Sequence, residues 1–170
     1  VESLKTKNPT VTAMMEQQAT ERNSKARPLR VWKSYKAISS HVRNAVLIAE
    51  DSAFFQHSGF DFEQIKESAK RNWEEKRFVR GASTITQQLA KNLYLSTSKN
   101  PLRKIREIFI ARKMEDTLPK QRIFEIYLNV IEWGDAIYGV ESAAQRYFGK
   151  SASARPAVGC APPSPLPPSA

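Results

Sequence analysis

The stretch Gly81-Ala82-Ser83-Thr84-Ile85-Thr86-Gln87-Gln88-Leu89-Ala90-Lys91-Asn92 decides how this chain is read. It opens with hydroxyl side chains suited to capping a helix, so a helix is predicted from about Ser83 to Leu93. On that helix Thr84, Gln88 and Lys91 stand at i, i+4 and i+7. Two neutral hydrogen-bonding groups and one ammonium then share a stripe with no hydrophobic task, an arrangement suited to a phosphate or sugar ligand. The stripe lies within a basic segment, Lys76 to Arg106, which has eight Lys or Arg and no Asp or Glu. Charge alone reads equally well as a solvated helical face, but the spacing argues for more.

Working outward, Val42, Ala45, Val46 and Ala49 recur at helical spacing from His41, which puts Glu50 at a helix carboxyl end. After a loop with Gly59, Asp61 is the predicted N-cap of a helix. Phe62, Ile65, Ala69 and Trp73 share one of its faces, while Lys66, Lys70, Arg71 and Glu74 face water. Asn100 and Pro101 mark the next start, with Leu102, Ile105, Phe109 and Met114 on a buried side. Pro119 starts another helix with the stripe Ile123, Ile126, Tyr127 and Val130, which Gly134 is expected to end. A last helix, from about Gly139 to Phe148, is expected to bury Val140, Ala143, Ala144 and Tyr147 before Gly149 closes it. No segment reads as a strand, so the fold class is mainly α. Residues 1–40 read as an irregular arm with one short helix and residues 41–150 as the folded domain. Six of the ten prolines fall between Pro156 and Pro168, so residues 151–170 read as an extended, mobile tail.

At 170 residues the chain suits one domain. Its 41% hydrophobic and 26% charged residues are ordinary globular proportions, against wholesale disorder or a polytopic membrane protein. The net charge of +10 calls for a polyanionic partner: nucleic acid, anionic lipid or a phosphorylated substrate. Cys160 is the single cysteine, and His41 and His57 are the two histidines, which excludes an intrachain disulfide framework and argues against a Cys/His zinc site. The longest apolar run, Ala45 to Ala49, is far below the roughly 18–20 residues of a membrane span. The sequence starts at Val1, so any anchor or export signal is expected upstream.

Among groups able to carry chemistry, Glu50-Asp51 is crowded by Phe54, Phe55, Phe60 and His57, surroundings that suit a general base. Arg103 and Glu107, four residues apart, form at the least a helical ion pair worth a few tenths of a kcal/mol. No Gly-x-Ser-x-Gly elbow, Gly-rich phosphate loop or HExxH motif occurs. The basic segment also lacks the interleaved aromatic residues of a base-stacking surface, Phe78 and Tyr94 apart, so nucleic acid is not the expected partner.

In order, Glu50-Asp51-x-x-Phe54-x-x-His57-x-Gly59, the Gly81 to Asn92 stretch, and Arg103-Lys104-x-x-Glu107 resemble motifs of the peptidoglycan glycosyltransferases. Lys120-x-Arg122-Ile123-x-Glu125-x-Tyr127-Leu128-Asn129 and Gly139-Val140-Glu141-x-Ala143-Ala144-x-x-Tyr147-Phe148-Gly149-Lys150 resemble the fourth and fifth motifs of that family. With no transpeptidase domain expected after residue 150, the chain resembles the monofunctional branch or a fragment of a bifunctional penicillin-binding protein, and Ile131-Glu132-Trp133-Gly134-Asp135 resembles the monofunctional branch more.

The resemblance implies a lysozyme-like helical domain that polymerises lipid II, with inversion and release of polyprenyl pyrophosphate. It places the domain on the outer, periplasmic face of the bacterial cytoplasmic (inner) membrane. It implies Glu50 as the general base toward the acceptor sugar's 4-hydroxyl. Glu107 would act near the donor pyrophosphate, directly or through a divalent cation (Mg or Mn), although no cofactor or metal is required. Lys91 and Arg103 would neutralise the leaving group. Thr84, Gln88, Phe54 and His57 would shape the donor pocket, with Ser83, Gln87, Arg80 and Lys104 as weaker candidates. Glu125, Tyr127 and Asn129 read as mainly structural. Expected partners are lipid II, the growing glycan strand, membrane lipids and other cell-wall synthesis proteins. Two rivals stand beside this reading: a lysozyme-like glycan-cleaving enzyme, and an inactive homologue acting as a basic binding module.

Overall fold

The computed structural model describes residues 1–22, 30–75, 83–95 and 101–154. Within them run α1 (Ala13–Glu21), α2 (Ser40–Glu50), α3 (Phe62–Glu74), α4 (Ile85–Tyr94), α5 (Pro101–Thr117), α6 (Lys120–Val130), a hairpin of β1 (Glu132–Gly134) and β2 (Ile137–Tyr138), and α7 (Val140–Phe148). The mainly helical reading holds. Side-chain oxygens cap four helices: Thr12, Ser39, Asp61 and Thr84 accept from the backbone N–H groups of Met15, Val42, Gln64 and Gln87. Asp61 is the cap the sequence predicts, and Pro101 is the first residue of α5; Asn100 lies outside the described residues.

Helix α4 sits centrally, packed on α1, α5 and α6. Ile85, Leu89 and Ala90 meet Ala111 and Met114 of α5 and the fully buried Ile123, Phe124, Ile126, Leu128 and Val130 of α6 in one core. Because α6 is enclosed, its polar side chains need partners, and residues of the arm supply them. Asn129 accepts from Lys33 N–H at 2.8 Å and donates to Lys33 C=O at 2.8 Å, gripping both backbone groups of one residue. Glu125 accepts from Tyr35 N–H at 2.7 Å, and the Arg122 guanidinium donates to Leu4 C=O at 2.8 Å and Lys7 C=O at 3.0 Å. Leu4, Met15 and Ile38 belong to the core. The arm is therefore integral to the domain, with α1 and two short 3-10 turns, Glu2–Lys5 and Tyr35–Ala37. Glu125 and Asn129 are structural, as read.

Four expectations need correction. Helix α6 stops at Val130 instead of running to Gly134, and the next residues pair as an antiparallel hairpin, a signal too short for period-two alternation to reveal. Helix α3 is turned the other way: Phe62 (76%), Ile65 and Trp73 (86%) are exposed, whereas Gln64 and Ser68 are buried. On α5 only Met114 of the four predicted residues is buried, with Leu102, Ile105 and Phe109 exposed. At α7, Val140 and Ala143 are buried but Tyr147 is half exposed. Amphipathic spacing identifies a face without saying what covers it. Residues 151–154 also pack: Ala152 is buried, and its backbone joins Ser39 N–H at 3.0 Å and the Glu141 carboxylate at 2.8 Å. The remainder of the Pro-rich segment lies outside the described residues.

Candidate active site

Glu50 ends α2 with its side chain exposed, and Gln88 of α4 donates from Nε2 to its Oε2 at 2.9 Å. The same amide donates to Ser83 C=O at 3.4 Å, and its Oε1 accepts from the Tyr127 hydroxyl at 3.0 Å. Among the described residues no donor meets the other Glu50 oxygen. Burial pushes the Tyr127 phenol well above its ordinary pKa, and the negative charges of Glu50 and Asp51 push the same way.

Asp51 is 1% exposed and ties the turn after α2 to the start of α4. One carboxylate accepts from Ile85 N–H at 3.0 Å and from His57 Nε2 at 2.9 Å. The backbone N–H of Gly59 donates to His57 Nδ1 at 3.1 Å, so Nδ1 carries no proton and the ring proton sits on Nε2, facing Asp51. Thr84 completes this floor by donating to Gly59 C=O at 2.7 Å. Phe54, without exposed surface, meets Phe55 and His57 edge to face and Phe124 at a tilt. Phe54 and Thr84 are therefore buried beneath the site, and the Thr84 hydroxyl is taken up as helix cap and loop tie.

Glu107 of α5 is 3% exposed, between two cations of its own helix. Arg103 Nη1 donates to Oε2 at 2.9 Å, and Lys104 Nζ donates to Oε1. Lys104 also reaches Ser83 Oγ and Gln87 Oε1, each at 3.3 Å. Adjacent residues of α4 thus serve both glutamates: Gln88 touches Glu50, and Gln87 touches the lysine that touches Glu107. Lys91, one turn along and half buried, has no ion-pair partner among the described residues. Arg80 lies outside them.

The structure therefore assembles Glu50, Gln88, Ser83, Gln87, Lys104, Arg103 and Glu107 along α4, with His57, Thr84 and Phe54 below. Two contributors were underrated from sequence. Asp51 reads only as one half of an acidic pair with Glu50, and Tyr127 as mainly structural; for Tyr127 no local pattern points to a residue 39 positions away. Ligand atoms of Asp51, His57 and Asp61 lie within 4.8 Å of one another, yet the proton on Nε2 occupies the lone pair a metal would need, so this cluster is a hydrogen-bonded brace.

The chain matches the transglycosylase family model over residues 15–157. It belongs to the transglycosylase family. Among curated relatives of this transglycosylase-family chain, the biosynthetic peptidoglycan transglycosylase of Nitrosospira multiformis is 46% identical over 149 residues, covering 86% of this chain and 65% of that protein. The protein of the same name from Methylobacillus flagellatus is 50% identical over 122 residues, 72% of this chain and 53% of the relative. That from Alcanivorax borkumensis is 54% identical over 122 residues, 72% of this chain and 50% of the relative. The chain thus spans from half to just under two thirds of the length of these relatives.

Proposed function

We propose that this chain is a peptidoglycan glycosyltransferase domain that extends glycan strands from lipid II. The observation that carries the reading is the join made by α4 between an exposed carboxylate, Glu50, and the cations Lys91, Arg103 and Lys104. In this reading Glu50 takes the proton of the acceptor sugar's 4-hydroxyl through the oxygen that Gln88 leaves free. The acceptor oxygen attacks the donor's anomeric carbon, the bond to pyrophosphate breaks, and the configuration inverts. The base and the leaving-group cations suffice, with no covalent glycosyl-enzyme.

In this reading the two Glu107 carboxylate oxygens are taken by a guanidinium and an ammonium, and these cations, not a divalent ion, serve the leaving group. Glu107 instead holds Arg103 and Lys104 in place for the pyrophosphate.

The domain's place, in this proposal, is the outer, periplasmic face of the bacterial inner membrane. No helix among the described residues is long and apolar enough to cross a membrane. Support comes from the outward apolar faces of α3 and α5, Phe62, Ile65 and Trp73 with Leu102, Ile105 and Phe109, set in a chain of net charge +10. Incubation with lipid II in detergent tests the reading: polymer forms, and Glu50→Gln abolishes it. Cleavage of purified glycan without polymerisation overturns it in favour of a hydrolase, and a folded protein inert in both assays favours a binding module.

A further inference from the structure

We propose that Tyr127 is a positioning residue for Glu50, acting through Gln88: its hydroxyl anchors the Oε1 end of the amide, so that Nε2 stays on the carboxylate. The inference rests on the reading of Glu50 as the base and adds a residue to it.

A glutamine amide has two nearly isosteric ends, and only its partners decide their order. Here three contacts agree. Nε2 meets two acceptors, Glu50 Oε2 at 2.9 Å and Ser83 C=O at 3.4 Å, and Oε1 meets one hydroxyl, Tyr127 at 3.0 Å. Turning the amide over would set its carbonyl oxygen against a carboxylate and a backbone carbonyl, two repulsive contacts in place of two bonds. Those two acceptors set the order of the ends; the hydroxyl, which can donate or accept, adds an anchor on Oε1 at 3.0 Å that keeps the amide from swinging off the carboxylate.

The ring and the hydroxyl of Tyr127 have separable tasks. The ring stacks on Phe124, with centroids 6.4 Å apart and planes 24° apart, inside the core. The hydroxyl leaves that packing to reach across to α4. The backbone of Gln88 is itself steadied, because Asn92 Nδ2 donates to Gln88 C=O at 2.9 Å, so the remaining freedom of the residue is in its side chain. Tyr127→Phe keeps the ring and removes only the control over that freedom.

The test combines Tyr127→Phe, Gln88→Ala and the double variant, each measured for lipid II polymerisation and thermal melting. Tyr127→Phe is expected to melt within a few degrees of the parent and to lower kcat about tenfold with KM within about twofold, the signature of a lost orienting hydrogen bond. The double variant should be no slower than Gln88→Ala alone, because both act on one contact. Parental kcat in Tyr127→Phe, or losses that multiply in the double variant, overturn the proposal. The side-chain amide NMR resonances of Gln88, assigned by their loss in Gln88→Ala, supply a readout free of turnover. They should shift in both Tyr127→Phe and Glu50→Gln, and no shift in either overturns the relay. A parent that makes no polymer yet shows both shifts sinks the functional reading and keeps the relay.

Discussion

Asp51 and Ile85 are 34 residues apart in sequence, yet the carboxylate of the first accepts the backbone N–H of the second at 3.0 Å. This bond places a negative charge at the amino end of α4, where unpaired N–H groups and the helix dipole favour it. It also sets α4, and with it Gln88, against the end of α2 that carries Glu50.

Replacing Asp51 is therefore expected to unfold the site from below. Asp51→Asn should cost about 2 kcal/mol, since one acceptor oxygen becomes an NH2 donor, and Asp51→Ala about 3 kcal/mol or more, since the buried Ile85 N–H and His57 Nε2–H both lose their acceptor. Equilibrium urea unfolding measures both values, and an Asp51→Ala chain as stable as the parent would refute the assignment.

Lys91 offers the opposite case. Lacking an ion-pair partner among the described residues, it should change stability by no more than about 0.5 kcal/mol on replacement by alanine. If it meets the leaving pyrophosphate, Lys91→Ala lowers the polymerisation rate about 100-fold. Comparison of melting temperature with initial rate on lipid II separates the two effects.

Two glycines should respond very differently to alanine. Gly139 has φ of +80°, and a Cβ there would lie 2.8 Å from the backbone oxygen of Asn129, so Gly139→Ala should cost about 3 kcal/mol. At Gly134 the obstacle is the Tyr147 hydroxyl, at the end of a half-exposed side chain that can swing away, so Gly134→Ala should cost less than about 1 kcal/mol. Thermal denaturation of the pair checks the order.

Acid should loosen the junction between α7 and the residues after it. Burial alone would raise the Glu141 carboxyl. Hydrogen bonds from Ala152 N–H, Ser151 and Gln145, with Lys33 nearby, nonetheless hold it below the ordinary carboxylate value. A depressed folded pKa means stability that is complete above the unfolded value, near 4.5, and is lost as pH falls through the lower folded one. Urea midpoints followed from pH 6 downward should fall with acid in the parent, with a shallower slope in Glu141→Gln.

Much of this was legible in the sequence because its cause is local. Asp61 and Thr84 cap helices three residues ahead of the N–H groups they bind, and Arg103 pairs with Glu107 one turn away. The mainly helical class and the gathering of Glu50, Gln88, Arg103 and Glu107 follow from such spacing together with the family motifs. What escaped was set by distant partners. The burial of Thr84 depends on Gly59, the task of Tyr127 on Gln88, and the order of the arm on Asn129 and Glu125. The facing of α3 escaped for a different reason: its apolar stripe is real, but solvent, not core, lies against it.

That reversed helix has a practical corollary. Because Phe62 and Trp73 are exposed in the folded state, they gain almost no burial when the chain folds in water, and the free energy of folding owes them almost nothing. They are thus the natural positions for solubilising substitutions or spectroscopic labels: charges or dyes placed there alter how the surface greets its surroundings while leaving the architecture beneath undisturbed.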